Sequence, residues 1–177
     1  MGYIDWLEEK EENIKSNHVL LYHGTSVKNI KNIIKEGQLV PQGGTGAKPM
    51  ELLWGDYDEK DYYGYLFFSD LYYRAMDYSI LSGDHCWDET YSNILIVLAL
   101  EIHEDKLLPD LHDAKDTGTW QESLEACNQV CVKGSINRED ISYLLFVDME
   151  NGEIVGIANT DDWEAPFMNV VKNKKLK

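Results

Sequence analysis

The chain of 177 residues is 44% hydrophobic and 11% aromatic, which suffices for one hydrophobic core but not for two full domains, so we expect a single domain over residues 1–177. Its 32 acidic residues outweigh 16 basic ones, and the net charge of −16 disfavours nucleic acids and anionic membranes as partners of the bulk surface. Three cysteines without paired spacing, and an acidic start (MGYIDWLEEKEE) without an apolar signal segment, lead us to expect a cytoplasmic protein that is not membrane-bound.

The first half of the chain predicts a helix, a strand and a second helix. A charged segment with a thin apolar stripe predicts an N-terminal helix over about residues 3–16. Residues 19–23 (VLLYH) have the apolar content of a buried strand. Apolar residues then recur at helical spacing from a cap at Ser26 to a stop at Gly37. From Val40 to Gly64 the chain predicts a long irregular loop, which opens with PQGGTGAKP and continues through an acidic, tyrosine-rich stretch.

The second half of the chain is richer in strands. We expect a short strand at 64–70, a helix at 71–81 and a central strand at 93–102, since the last segment is apolar on both faces. Residues 105–118 predict a loop, and residues 172–177 predict a solvated, lysine-rich tail. Shorter elements complete the prediction: a helix in WQESLEA, a strand in NQVCVKG, and a hairpin of ISYLLFVD and GEIVGIA across MENG. Helices that fall early and strands that fall late indicate an α+β fold.

Three segments place polar or aromatic residues where a strand meets a helix, namely LYHGTS at 21–26, GYLFFSDLYYRAMDYS at 64–79 and NQVCVKGSI at 128–136. With these motifs in this order, the sequence resembles the ADP-ribosyltransferases of the diphtheria-toxin and poly(ADP-ribose) polymerase type, whose motifs carry His, Tyr and Glu. The resemblance covers about residues 19–147. It implies a split β-sheet core with short helices and a NAD cleft, and a mono-ADP-ribosyltransferase activity that uses NAD as its substrate.

The resemblance also implies a role for particular residues. It places NAD binding on His23, Gly24, Thr25, Phe67, Ser69 and Tyr78, and catalysis on His23, Tyr78 and Gln129. His23 would hydrogen-bond the adenosine-side ribose, and the Gly24 backbone would hold the carboxamide with no side chain in the way. Phe67 stands where the family has a tyrosine, and Tyr78 follows 11 positions later, so the two rings would stack on the nicotinamide.

Gln129 is where the chain departs from the family, which has a glutamate in the third motif. A glutamine amide can hydrogen-bond a ribose hydroxyl, but it carries no negative charge and cannot act as a base. We therefore expect slow transfer, hydrolysis of NAD or binding alone, and we expect Gln129→Glu to raise NAD turnover. Glu122 and Glu125 are alternative sources of a carboxylate, although a solvated helix surface is the ordinary place for both.

Two alternatives remain open. Taken singly, each motif residue also fits an ordinary core position. The alternative of a different class is a catalytically degenerate relative that binds NAD, or binds a partner protein through its acidic face, as a decoy or an inhibitor would. A NAD glycohydrolase lies between that reading and the transferase. For a transferase, the negative charge favours a protein or small-molecule acceptor over a nucleic acid, and we expect residues 41–63 and 104–119 to select it.

No metal site is expected. The candidate zinc ligands lack the C-x-x-C pair that is typical of zinc sites; these candidates are His85, Cys86, Cys127 and Cys131. Three aspartates spaced three residues apart, Asp110, Asp113 and Asp116, do not have the two-residue stagger of a calcium loop, which favours a solvated acidic loop.

Overall fold

A seven-stranded sheet forms the centre of the fold in the computed structural model, which describes residues 2–41, 64–81, 91, 93–111 and 113–176, with only the backbone at 77–81. The strands are β1 (His18–Thr25), β2 (Gln38–Leu39), β3 (Tyr65–Ser69), β4 (Ile94–His103), β5 (Leu107–Pro109), β6 (Gln129–Lys133), β7 (Ile136–Asn137), β8 (Ile141–Asp148) and β9 (Ile154–Ala158). The sheet has the order β5-β6-β3-β1-β4-β8-β9, and β2 pairs with β7 in a separate ribbon. All neighbouring strands run antiparallel.

Five helices accompany these strands in the described part of the chain. They are α1 (Tyr3–Glu11), α2 (Val27–Glu36), α3 (Tyr72–Leu81), α4 (Trp120–Cys127) and α5 (Glu164–Lys175). Short 3₁₀ turns occur at Glu104–Lys106 and Arg138–Asp140. Helix α2 begins and ends as its sequence predicts: Ser26 Oγ accepts a hydrogen bond from the Asn29 N–H at 3.1 Å, and Gly37 adopts φ 75° after the last turn. No described helix is long and apolar enough to cross a bilayer.

Helices cover both faces of the sheet, so the core has two parts. On one face, alternate residues of the central strands, such as Leu21, Leu98 and Phe146, pack with residues of α2 and α5. On the other face, neighbours in sequence, such as Tyr22 and Leu145, pack with residues of α1 and α3. Strand β4 is buried on both faces, which confirms its prediction as the central strand and the α+β class in general.

The largest differences from the sequence predictions concern three segments. The N-terminal helix predicted to residue 16 ends at Glu11, because the Asn13 side chain donates to the Glu9 carbonyl at 2.7 Å and takes the place of a further helical turn. The loop predicted at 105–118 contains β5, which pairs with β6 at the edge of the sheet, where Pro109 is tolerated.

The predicted lysine-rich tail is the third difference. Lys172, Lys174 and Lys175 lie in the last turns of α5, not in a frayed tail, and Lys177 lies outside the described residues. The helix persists because Trp163, Phe167 and Val171 bury one face of this segment in the core. Lys174 Nζ donates to Asp148 Oδ1 at 2.6 Å, and the Lys174 side chain is 19% exposed.

The contact between β1 and β3 is much shorter than the other contacts of β1. Strand β1 pairs with β4 along its whole length, from His18↔His103 to Thr25↔Ile96. With β3 it shares the single pair Tyr22↔Ser69. Beyond that pair, towards Thr25, the two strands continue without a further ladder pair among their described residues, so the sheet is interrupted at this point.

Candidate functional site

The three sequence motifs meet at the C-terminal end of β3. Ser69 pairs with Tyr22 of β1 on one side and with Gln129 of β6 on the other. His23 of the first motif directly follows Tyr22, so the three motifs occupy the neighbouring strands β1, β3 and β6. In the chain, more than a hundred positions separate His23 from Gln129. This convergence defines the candidate site.

His23 bridges the interruption between β1 and β3 with its side chain. Its Nδ1 lies 2.9 Å from the Phe67 carbonyl oxygen, and its ring centroid lies 5.5 Å from that of Phe68. Burial lowers the pKa of His23, and the hydrogen bond to the Phe67 carbonyl opposes that shift in part. A carbonyl only accepts, so Nδ1 carries the proton and Nε2 of the neutral ring is an acceptor for a hydroxyl or amide donor.

The other predicted contacts of the first motif lie at the same place. Gly24 pairs with Val97 of β4, and its opposite edge faces β3, with which the described residues form no ladder pair at this position. Thr25 pairs with Ile96 and is only 3% exposed. A ligand at this edge would therefore meet the Gly24 backbone before it met the Thr25 side chain.

The second motif provides one described ring and one that lies outside the described atoms. Phe67 is partly exposed on β3, where it pairs with Cys131 of β6. Tyr78 lies on α3, but its side chain is outside the described part of the structure, so the stacking of two rings stays a prediction. Ser69 is buried, and its Oγ accepts a hydrogen bond from the Leu71 N–H at 3.0 Å, which fixes the turn into α3.

Asp70 is a carboxylate of this site that the sequence analysis does not single out. Its Oδ2 accepts a long hydrogen bond of 3.5 Å from Asn128 Nδ2, the residue before Gln129. Its Oδ1 is buried, and no described atom serves as its hydrogen-bond partner. Burial raises the pKa of the Asp70 carboxyl, against the opposing effect of the Asn128 hydrogen bond. A partly satisfied carboxylate costs stability, which is common where a group is retained for function.

Gln129 opens β6 directly after the end of α4. Asn128 ends that helix in the left-handed region at φ 59°, and the chain then turns into the strand. The Gln129 side chain is buried, and its Nε2 donates to Asp113 Oδ2 at 3.4 Å. The glutamine is thus held against a carboxylate that lies on the loop after β5.

The other carboxylates considered from the sequence have different roles. Glu122 Oε2 accepts hydrogen bonds from the Gly118 N–H at 2.8 Å and the Thr119 N–H at 3.1 Å, so it completes a capping box at the start of α4. Glu125 is exposed on the same helix. Asp110 is 3% exposed, so the description of a solvated acidic loop is wrong at this residue and holds for the exposed Asp113 and Asp116.

Of the two described cysteines of the zinc alternative, Cys131 is a buried thiol and Cys127 is partly exposed. Burial raises the pKa of Cys127, and it raises the pKa of Cys131 to about 12, with a smaller contribution from Asp110. His85 and Cys86 lie outside the described residues, as do residues 42–63 of the predicted acceptor loop. Within the described residues no group of three His, Cys, Asp or Glu side chains is arranged to hold a metal ion.

The sequence has no local signal that places other polar residues beside Asn128 and Gln129. Asp70 follows a motif residue, but no local pattern marks it as half-buried. Ser123 and Asp113 approach Gln129 only through the packing of α4 and the loop after β5. The capping box at Thr119 and Glu122 did have a signal, since Thr-x-x-Glu before a helix is its signature.

Comparison with known proteins adds no relative, since no protein-family model matches the chain and no curated protein matches it significantly.

Proposed function

We propose that the chain is a mono-ADP-ribosyltransferase that cleaves NAD⁺ and transfers ADP-ribose to a macromolecular acceptor. NAD⁺ would lie at the interruption between β1 and β3, in a split sheet of the kind that the motifs imply. The acceptor would be a protein more readily than a nucleic acid, because the net charge of −16 repels a phosphate backbone.

The observation that carries this proposal is the double pairing of Ser69 with Tyr22 and Gln129. Motif order in a sequence does not by itself require proximity, because the three segments could have lain on distant strands. Their strands are instead adjacent, in the order β6-β3-β1, and the backbone ladder stops where His23 begins to bridge the gap. Unpaired strand edges with polar groups are suitable for ligand binding.

The described groups suit the chemistry of this reaction. When the bond between ribose and nicotinamide breaks, its electron pair leaves with the nicotinamide and positive charge develops on the ribose. The neutral His23 ring offers Nε2 to a ribose hydroxyl, and Gly24 offers its backbone to the carboxamide. The acceptor nucleophile then bonds to the ribose carbon that nicotinamide has left, and its proton passes to solvent water, because the Gln129 amide cannot accept it.

The same geometry supports the glycohydrolase and the binding-only alternatives, since each needs the NAD⁺ site. Gln129 favours neither of them by itself, because an amide can hold a ribose hydroxyl in all three cases. What separates them is whether an acceptor other than water is used, and whether the bond breaks at all.

Incubation with NAD⁺ labelled on its adenylate phosphate separates these outcomes. The transferase predicts label attached to protein in a lysate, together with an equivalent amount of released nicotinamide. Nicotinamide released without attached label would identify a glycohydrolase. If no nicotinamide is released, no label becomes attached to protein and no binding of NAD⁺ is measurable, the proposed function is contradicted.

A further inference from the structure

Four residues around the third motif form a closed ring of hydrogen bonds that begins and ends on Gln129. The Gln129 carbonyl oxygen accepts from Ser123 Oγ at 2.6 Å, and the same Oγ accepts from the Asp110 N–H at 2.8 Å. Asp110 Oδ1 accepts from the Asp113 N–H at 2.7 Å. Asp113 Oδ2 then accepts a long hydrogen bond of 3.4 Å from Gln129 Nε2, which closes the ring.

The ring joins separate elements of the fold at one side chain. Ser123 lies on α4, Asp110 directly follows β5, and Gln129 opens β6. Ser123, Asp110 and Gln129 are 0%, 3% and 6% exposed, whereas Asp113 reaches the surface. Because three members are buried, their hydrogen bonds hold the loop after β5 in place and bring the Asp113 carboxylate to the Gln129 amide.

The charge of Asp113 decides which end of the Gln129 amide faces it. A carboxylate has no proton to donate, so only the NH₂ end of the amide can form a hydrogen bond with it. The nitrogen and oxygen of an amide are bonded to the same carbon and point in different directions. With Nε2 held by Asp113, Oε1 is turned away from it.

We propose that Asp113 is a positioning residue of the candidate site, which turns the Gln129 Oε1 towards the substrate and supplies, through the amide, part of the negative charge that a glutamate would carry. This inference rests on the proposed function, in which Oε1 accepts a hydrogen bond from a ribose hydroxyl. A hydrogen bond from Nε2 to a carboxylate polarises the amide and makes its oxygen a better acceptor. Gln129 and Asp113 then work as a pair.

The pair changes the expectation for Gln129→Glu. A glutamate at this position would place a second carboxylate against Asp113, and each of two like charges in contact disfavours the ionised form of the other. This repulsion opposes the negative charge that the substitution is meant to add. The gain in turnover expected from the sequence should therefore appear only when Asp113 is also changed.

The test compares nicotinamide release by the full chain and its variants. Asp113→Asn, which keeps the size and removes the charge, is expected to lower the rate about threefold to tenfold, and Asp113→Ala about tenfold or more. Gln129→Glu alone should stay within about threefold of the wild type, and the double variant Gln129→Glu/Asp113→Asn should exceed Gln129→Glu by about tenfold. Asp116→Asn, an exposed aspartate of the same loop, is the matched control and should leave the rate unchanged.

A purely structural Asp113 would give a different pattern, because loss of a structural contact lowers the rate in both backgrounds. A full gain from Gln129→Glu alone, or a loss of rate on adding Asp113→Asn to it, would therefore overturn the proposal.

A nuclear magnetic resonance measurement on protein labelled with ¹⁵N-glutamine tests the pair without NAD⁺. The side-chain NH₂ signals of Gln129, assigned from their loss in Gln129→Ala, should move in Asp113→Asn and stay in place in Asp116→Asn. Signals that do not move in Asp113→Asn would show that the pair does not form, and the proposal would fail whatever the activity. If the signals move but the wild type neither binds NAD⁺ nor releases nicotinamide, the proposed function fails, and Asp113 loses its positioning role with it.

Discussion

Strand β1 meets its two neighbours in opposite ways. With β4 it forms an uninterrupted ladder from His18↔His103 to Thr25↔Ile96, and β4 is apolar on both faces. With β3 it forms one pair, and a histidine side chain bridges the strands where the ladder stops. One side of the same strand thus belongs to the core, and the other side belongs to the candidate site.

The two contacts differ in how many backbone groups are hydrogen-bonded and in how much apolar area is buried. At the β1–β4 contact, backbone groups pair with each other and side chains contribute through burial alone. At the β1–β3 contact, the His23 side chain takes the place of the ladder, and the buried Oδ1 of Asp70, directly after β3, has no described hydrogen-bond partner. A fold can carry such a costly region only because the neighbouring ladder supplies its stability.

The largest expected effect comes from a substitution in β4, whose uninterrupted ladder with β1 is the regular side of this comparison. Leu98 of β4 is fully buried, so Leu98→Ala should lower the free energy of unfolding by about 3 kcal/mol through lost burial and a cavity. Leu108→Ala on the edge strand β5, where the leucine is 38% exposed, should cost less than about 1 kcal/mol. Urea unfolding measures both. Equal losses of unfolding free energy in the two variants would mean that burial in β4 contributes no more to stability than the edge strand does.

The next effect breaks the other side of the comparison. Gln129→Ala removes the amide that would hold the ribose hydroxyl, and should raise the barrier by about 1–3 kcal/mol, or about tenfold to a hundredfold in nicotinamide release. Gln121→Ala, at an exposed glutamine on α4, is the matched control and should leave the rate unchanged. A wild-type rate in Gln129→Ala would remove the third motif from the site.

Much of the regular side could be predicted from the sequence, because its signals are local. The apolar run at β4 lies within ten residues, the caps of α2 lie at Ser26 and Gly37, and the β8–β9 hairpin is one continuous segment from Ile141 to Ala158. Helix α5 also had a local signal in Trp163, Phe167 and Val171, which recur every four residues, but the lysines that follow them favoured a tail.

The surroundings of the candidate site could be predicted only in part. His23 and Gln129 were found because a motif marks each of them. The burial of Asp110 and the contact between Asp113 and Gln129 depend on where α4 and the edge strand β5 pack, which no stretch of neighbouring residues encodes. Polar networks assembled from separate elements are tertiary features, and a single sequence contains no local pattern for them.

The smallest expected effect comes from removing the partly buried charge of Asp70, which costs stability at the candidate site. Burial raises the pKa of Asp70, so the folded state is penalised above the unfolded carboxyl pKa of about 4 and relieved below it. Asp70→Asn should therefore raise the free energy of unfolding at pH 7 by about 0.5 kcal/mol, because partial exposure screens the charge, and the difference should vanish near pH 3. Urea unfolding at the two pH values measures it, with Asp116→Asn as the control. A loss of stability at pH 7 would show that the charged carboxylate stabilises the fold.

The central claim is that His23, at the interruption between β1 and β3, anchors NAD⁺, and calorimetric titration of NAD⁺ into three proteins tests it most directly. Wild type and His18→Ala, which changes a histidine at the opposite end of the same strand, should bind NAD⁺ alike. His23→Ala should remain folded by circular dichroism and bind NAD⁺ at least about tenfold more weakly, since it loses a hydrogen bond in a partly buried site. Equal affinity of His23→Ala and the wild type would contradict the account.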